Sequence, residues 1–134
     1  MKALALDLGR ARTGVAVSDP SGTVVRPLPV IHEIDRPDGT AALDAVIAAE
    51  APEVIVVGQP LLMSGEAGEQ AHQASSFAGR LRRRVDARVV LCDERLSTAE
   101  AERRRRESGS RAELDSLAAC VILEAWLARD REAA

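Results

Sequence analysis

The chain has 134 residues, of which 46% are apolar and 29% charged, so it has the composition of a globular protein with one hydrophobic core. Two full domains do not fit in this length, and we expect a single domain over residues 1–134. The net charge of −3 argues against a histone-like nucleic-acid binder, and an aromatic content of 1% argues against a surface that stacks bases on aromatic rings.

The chain lacks the features of a membrane or secreted protein. Its aliphatic runs reach four or five residues, as at Val54 to Val57, against the roughly 20 that span a bilayer. Asp7 interrupts the apolar stretch where a signal peptide would continue, so we expect a cytoplasmic protein without membrane contact. Cys92 and Cys120 lack zinc-site spacing and are expected to be reduced and packed.

The first part of the chain reads as three strands. Alternation over residues 3–8 predicts a strand with leucines on one face and Ala3, Ala5 and Asp7 on the other. Gly9 ends it, a second strand covers 13–18, and the turn at 19–22 leads to a third at about 23–31. Because Pro27 and Pro29 cannot donate ladder hydrogen bonds, the third strand is predicted at a sheet edge.

The rest of the chain alternates helices with strands. Helical spacing predicts helices over 40–50, from Glu66 to about Val85, and over about 111–129, and buried strands over 54–58 and 89–92. Ser97 with Glu100 and Ser110 with Glu113 match capping boxes, which mark two helix starts. These elements predict an α/β domain with a mixed sheet of about five strands flanked by helices.

Four carboxylates occupy notable positions: Asp7, Asp93, Glu94 and Asp115. Each alone has an ordinary explanation, as a turn acceptor, a solvated strand exit, or a charge that suits a helix N-terminus. Together they are more informative, because the carboxyl ends of parallel strands share one crevice that a helix can close. Clustered carboxylates repel unless a cation lies between them, and Mg²⁺ or Mn²⁺ prefers oxygen ligands. Two such ions about 4 Å apart can activate water and hydrolyse a phosphodiester.

Four motifs resemble the bacterial YqgF/RuvX family in collinear order over essentially the whole chain. They begin with Asp7-Leu-Gly-Arg-Ala-Arg-Thr-Gly-Val-Ala-Val-Ser-Asp19 and Val56-Val-Gly-Gln-Pro-Leu-Leu-Met63, and continue with Asp93-Glu-Arg-Leu-Ser-Thr98 and Leu114-Asp-Ser-Leu-Ala-Ala-Cys-Val-Ile-Leu-Glu124. The resemblance implies an RNase H-like fold related to the resolvase RuvC. It also implies a metal-dependent nuclease assigned to processing of pre-16S rRNA.

On that family pattern, Asp7, Glu94 and Asp115 are the catalytic carboxylates and would hold Mg²⁺ or Mn²⁺. Asp93 would support Glu94 or replace it, and the sequence leaves that pair open. The chain departs from the family pattern at Gln59, Ser64 and residues 107–111, which leaves the carboxylates intact but changes loops on the substrate side.

Three functions follow as alternatives. The first is a metal-dependent nuclease that cuts structured RNA, at the 5′ end of pre-16S rRNA. The second is a Holliday junction resolvase-like nuclease that cuts branched DNA as a homodimer, since symmetric cutting needs two sites related by a twofold axis. The third is a non-catalytic module that binds nucleic acid or acts in ribosome assembly.

Arginines make up 17 of the 18 basic residues, and several could meet phosphate. Arg10 and Arg12 lie in the predicted turn after Asp7, and two runs cover 82–84 and 103–106. Both runs are equally compatible with solvated helix faces that carry ion pairs. If they bind nucleic acid, their contacts are expected to be with the backbone and to weaken with salt.

Overall fold

A computed structural model describes residues 1–59, 68–93 and 111–133, with the backbone alone at 111–115 and 133. Its strands and helices are, in chain order, β1 (Ala3–Asp7), β2 (Arg12–Ser18), β3 (Val25–His32), α1 (Pro37–Glu50), β4 (Val54–Gln59), α2 (Glu69–Arg82), β5 (Arg88–Asp93) and α3 (Arg111–Ala133). The strands form one sheet in the order β3-β2-β1-β4-β5. The pairs β1–β2 and β2–β3 are antiparallel, whereas β1–β4 and β4–β5 are parallel. The predicted mixed five-stranded sheet is confirmed.

Alternation along the strands divides the core into two layers. Leu4 and Leu6 of β1 pack with α1 and α2 on one face of the sheet. Ala3 and Ala5 pack with α3 on the other face. Because side chains alternate along a strand, Asp7 lies on the α3 face, at the sheet edge where the parallel strands end.

Four helix boundaries differ from the sequence prediction: α2 begins at Glu69, after the extended N-cap Gly68, rather than at Glu66, and the other three differ for local reasons. Helix α1 begins at Pro37 rather than near residue 40, because the fixed φ of proline suits a first helical turn. Helix α2 ends at Arg82 instead of continuing to Val85, since the Arg83 and Arg84 amides bond three residues back and tighten the turn. Helix α3 runs past residue 129 to Ala133, as no glycine or proline stops it.

The predictions for strand β3 and for the two cysteines agree with the structure. Strand β3, with its two prolines, lies at the sheet edge as predicted. Both cysteines are buried and reduced, and Phe77 is in the core. Trp126 is half-buried against the layer beneath α3, with the Arg88 guanidinium 5.8 Å from its ring centre. The capping boxes at 97–100 and 110–113 lie outside the described side chains.

A helix that crosses a membrane must be both long and apolar. None of the helices within the described ranges is both long and apolar enough to cross a bilayer.

Candidate active site

Asp7 ends β1 in a setting with little side-chain bulk around it. The β1–β2 register pairs Asp7 with Gly14. On the other side, Leu6 pairs with Val57, so the next position along β4 beside Asp7 is Gly58. Both neighbours on the α3 face are therefore glycines. The half-buried carboxylate lies on a floor formed largely by backbone.

Asp93 ends β5 at the same edge but on the opposite face. Val89 and Leu91 of β5 pack in the layer beneath α1 and α2, whereas Val90 and Cys92 pack with α3. Asp93 continues the first set and pairs with Gln59, whose side-chain amide donates to Ser75 Oγ of α2 at 3.1 Å. The structure therefore does not bring Asp93 to the face that carries Asp7. Glu94 lies outside the described residues.

Asp115 lies in α3, and its neighbour Ser116 fixes where this part of the helix meets the sheet. The buried Ser116 hydroxyl donates to the Leu28 carbonyl at 2.7 Å and accepts a long hydrogen bond from the Val15 amide at 3.5 Å. Val15 pairs with Leu6, one position from the Asp7–Gly14 pair. The helix backbone at Asp115 is thus at the same edge and on the same face as Asp7.

Of the three predicted ligands, the structure describes one carboxylate and one helix position. Among the side chains that it describes, no three His, Cys, Asp or Glu residues are grouped closely enough to hold a metal ion. The side chains of Glu94 and Asp115 are outside that set. The ligand set predicted from the sequence therefore stays a prediction.

Carboxyl groups with clearly lowered pKa values lie at the opposite edge of the sheet. The Ser21 hydroxyl and the amides of Val24 and Thr23 hydrogen-bond to Asp19 and lower its pKa to about 2. Lys2, at the start of β1, lowers the pKa of Glu50 mainly through its hydrogen bond. Asp19, which closes the first family motif, thus organises the β2–β3 turn rather than the site.

The first arginine run lies far from Asp7 and has partners within the chain. It follows the end of α2, just before β5 begins, and so lies at the sheet edge opposite Asp7. Arg82 Nε donates to the Val89 carbonyl at 3.1 Å, and Arg84 forms an ion pair with Asp44. These contacts favour a structural role for 82–84. The run at 103–106 lies outside the described residues, whereas Arg10 is exposed in the turn that follows Asp7.

An open groove of about 590 Å³ lies beside this edge, on the α1/α2 face. Its described lining includes the β1–β2 turn and α2 from Glu69 to Arg80, with four charged side chains: Arg10, Asp35, Glu69 and Arg80. Arg80 is paired with Asp35 at 3.2 Å, and the four formal charges cancel. The groove therefore offers little net attraction for a phosphate chain.

Sequence reasoning missed two features of the site. The glycine neighbours of Asp7 carried a usable signal, because glycine inside a strand often marks a close approach of another group. Ser116 carried none, since a serine inside an amphipathic helix has no pattern that predicts a hydrogen bond to a distant strand. Both depend on register between segments remote in sequence.

Comparison with known proteins identifies the family of this chain. The RuvX family, described as Holliday junction resolvase, matches residues 1–129. The chain belongs to this family. A relative from Anaeromyxobacter sp. (strain Fw109-5), named "Putative pre-16S rRNA nuclease", is 43% identical, with 95% of this chain and 96% of the relative covered. A relative of the same name from Maridesulfovibrio salexigens is 40% identical, with 96% and 99% covered. These names confirm the predicted nuclease class.

Solved structures agree with the fold. The fowlpox virus resolvase bound to Holliday junction DNA matches with a TM-score of 0.60 at 8% identity, covering 96% of this chain and 98% of the viral one. RuvC from T. thermophilus, also with a Holliday junction substrate, matches with a TM-score of 0.56 at 17% identity, covering 97% and 96%. At these identities the likeness concerns the fold alone. It confirms the RNase H-like fold that the resemblance implied.

Proposed function

We propose that this protein is a divalent-metal-dependent nuclease that processes the 5′ end of pre-16S rRNA, with Asp7, Glu94 and Asp115 as metal ligands. One observation carries the proposal. Asp7 ends the central parallel strand between two glycine positions, on the face and at the edge where α3 brings Asp115. Strand β2, strand β4 and helix α3 thereby come together around Asp7 at the end of β1.

Strand alternation supports Glu94 over Asp93 as the third ligand. Val90 and Cys92 face α3. If the alternation of β5 continued for one more residue, position 94 would have the same parity as these two. Asp93 has the parity of Val89 and Leu91 and shares the α2 face with Gln59.

The donor set fits a hard divalent cation. Carboxylate oxygens are the ligands that Mg²⁺ and Mn²⁺ prefer, and the half-buried Asp7 carboxylate lies beside two glycine positions. Bound metal ions would activate a water for attack on phosphorus and stabilise the charge that develops on the leaving oxygen.

The chain's own residues would supply position and charge for this reaction. The backbone of Asp7 is fixed by its pairing with Gly14 in β2, which limits the positions that its carboxylate can take. Arg10, exposed in the turn after Asp7, is placed to neutralise a phosphate of the bound strand. The site would thus hold the sugar-phosphate backbone and read little base sequence.

The substrate is proposed from the relatives, whose names specify pre-16S rRNA. The family description favours a second candidate, cleavage of a DNA four-way junction. That reaction would require two copies of the chain related by a twofold axis, because two strands are cut symmetrically. Only the second candidate function therefore requires a homodimer.

The proposal is tested by cleavage of three labelled substrates: a precursor RNA with the 5′ extension of 16S rRNA, an unrelated single-stranded RNA, and a four-way DNA junction. Wild type and Asp7→Asn are compared with Mg²⁺, with Mn²⁺ and with EDTA. We expect metal-dependent cutting of the precursor that is lost in EDTA and in Asp7→Asn, while the mutant still binds the RNA.

The other outcomes separate the alternatives. Preferential cutting of the junction would replace the rRNA substrate with branched DNA. Binding of nucleic acid without cutting, in wild type as in Asp7→Asn, would indicate a non-catalytic binding module.

A further inference from the structure

Ser116 is a buried polar residue that the proposed chemistry does not use. Its hydroxyl, on a side chain only 3% exposed, lies between β2 and β3 and hydrogen-bonds to both, through the Val15 amide and the Leu28 carbonyl. The β2–β3 register shifts between Thr13 and Val15, at the same place. The hydroxyl of an α3 residue is therefore built into an irregularity of the sheet.

This contact anchors one end of α3, and a second contact anchors the other. Arg131 Nη1 donates to the Gly22 carbonyl at 3.0 Å, in the β2–β3 turn at the edge away from Asp7. Between these points α3 packs on both alanines and valines of the sheet, including Ala5, Ala16 and Val56. The hydrogen bonds at its two ends add directional contacts to this packing and so help to fix the helix along its axis.

We infer that Ser116 is a positioning residue, which sets the distance between Asp115 on α3 and Asp7 on β1 and so defines the metal-binding geometry. The inference rests on the proposed function. Asp115 directly precedes Ser116, so a shift of the helix by a fraction of a turn would displace it relative to Asp7. Removal of the hydroxyl would free this end of α3 while leaving both carboxylates in the chain.

The chain offers a matched control in Ser18. Its side chain is also buried, accepts a hydrogen bond from the Ala3 amide at 2.8 Å and donates to the Asp19 carbonyl at 3.0 Å. Ser18 therefore bridges backbone groups as Ser116 does, but at the edge of the sheet opposite Asp7. Ser18→Ala and Ser116→Ala remove the same chemistry at two ends of one sheet.

The experiment measures Mn²⁺ binding by water-proton relaxation and cleavage as kcat and KM, for wild type, Ser116→Ala, Ser116→Thr and Ser18→Ala. We expect Ser116→Ala to weaken Mn²⁺ binding and lower kcat by roughly 10-fold or more, as for loss of a group that orients a metal ligand. Its KM and its RNA affinity in EDTA should stay unchanged. Ser116→Thr, which retains the hydroxyl, should recover most of the loss, and Ser18→Ala should bind Mn²⁺ like wild type.

Equal Mn²⁺ affinity and kcat in Ser116→Ala and Ser18→Ala would overturn the inference and leave the proposed function in place. A wild-type protein that neither binds Mn²⁺ nor cuts RNA would contradict both. If Ser116→Ala does not fold, Ser116→Cys, which fills the space of the hydroxyl with a weak donor, takes its place in the same comparison.

Discussion

Asp7 is distinguished by its neighbours rather than by its own residue type. Gly14 and Gly58 flank it on the α3 face, and Cys92 follows in the next strand. A side chain at either glycine position would stand beside the carboxylate. These strand-interior glycines weaken the sheet, since glycine loses more entropy on folding than other residues, and both are buried next to Asp7.

Gly58→Ala is therefore expected to separate stability from activity. The added methyl group should lower cleavage by about 100-fold through misplacement of the substrate beside Asp7, while the melting temperature changes little, because the entropy gained with alanine offsets crowding at this buried position. Cleavage rates and thermal unfolding of the two proteins check this. Unchanged cleavage would show that the space beside Asp7 is not used.

Asp19 supports a pH prediction with a definite sign. Its pKa is lowered from 3.8 to about 2 in the folded protein, chiefly by the Ser21 hydroxyl and the amides of Val24 and Thr23. A lowered pKa stabilises the fold above the unfolded-state pKa, and this contribution disappears as pH falls through about 2.

The melting temperature of wild type should thus exceed that of Asp19→Asn by a constant margin above about pH 5, with the margin closing between about pH 4 and 2. Melting curves measured across this range check it. A margin that persists to pH 2 would mean that the asparagine amide replaces the carboxylate in the turn.

At the scale of elements, two helical glycines lie in opposite surroundings. A Cβ at Gly39 in α1 would stand 2.0 Å from the Glu33 carbonyl oxygen, whereas a Cβ at Gly79 in α2 would meet nothing within 4 Å. The same substitution is therefore expected to act with opposite sign. Gly39 permits close packing of α1 on the segment before it, and Gly79 has no such role.

Gly79→Ala should raise the free energy of unfolding by about 0.5–1 kcal/mol, because alanine loses less entropy in a helix interior. Gly39→Ala should lower it by about 1–3 kcal/mol, because backbone must move to relieve the overlap. Urea denaturation measures both. Equal effects of the two substitutions would contradict the packing described for α1.

The elements themselves were largely predictable, and their ends were not. Alternation in β1 specified which residues face each core layer, including the face of Asp7. The ends of α1 and α2 depended on Pro37 and on a tightened turn at Arg83, which are local details that averaged helical spacing does not contain. The sequence left the pair Asp93 and Glu94 open, because a one-residue error in register reverses which side chain of a strand faces α3.

Across the whole molecule, charge is distributed unequally between the two edges of the sheet. Arg84 and its run lie at the edge away from Asp7, with Arg84 paired to Asp44, while Arg10 is exposed in the turn that follows Asp7 and lines the groove on the α1/α2 face. Clustering in the sequence drew attention to the run at 82–84. The fold instead favours the isolated Arg10 as a phosphate contact. Its turn lies at the edge of the sheet where β1 ends, whereas the run at 82–84 lies at the opposite edge.

Arg10→Gln should weaken RNA binding and reduce the slope of log affinity against log salt by about 1, since one phosphate contact is lost. Arg84→Gln should leave both quantities unchanged and lower the free energy of unfolding by less than about 1 kcal/mol, as for an exposed ion pair. Binding titrations at several salt concentrations check the pair. A larger loss for Arg84→Gln would place the nucleic acid at the opposite edge.

The most direct test compares the neighbouring carboxylates Asp93 and Glu94, of which we propose the second as a metal ligand. Cleavage of precursor RNA in Mn²⁺ should be abolished by Glu94→Gln, as by Asp7→Asn, and should be retained by Asp93→Asn, which alters the face that carries Gln59 and α2. Loss of cleavage in Asp93→Asn with activity retained in Glu94→Gln would contradict a site built on the α3 face around Asp7.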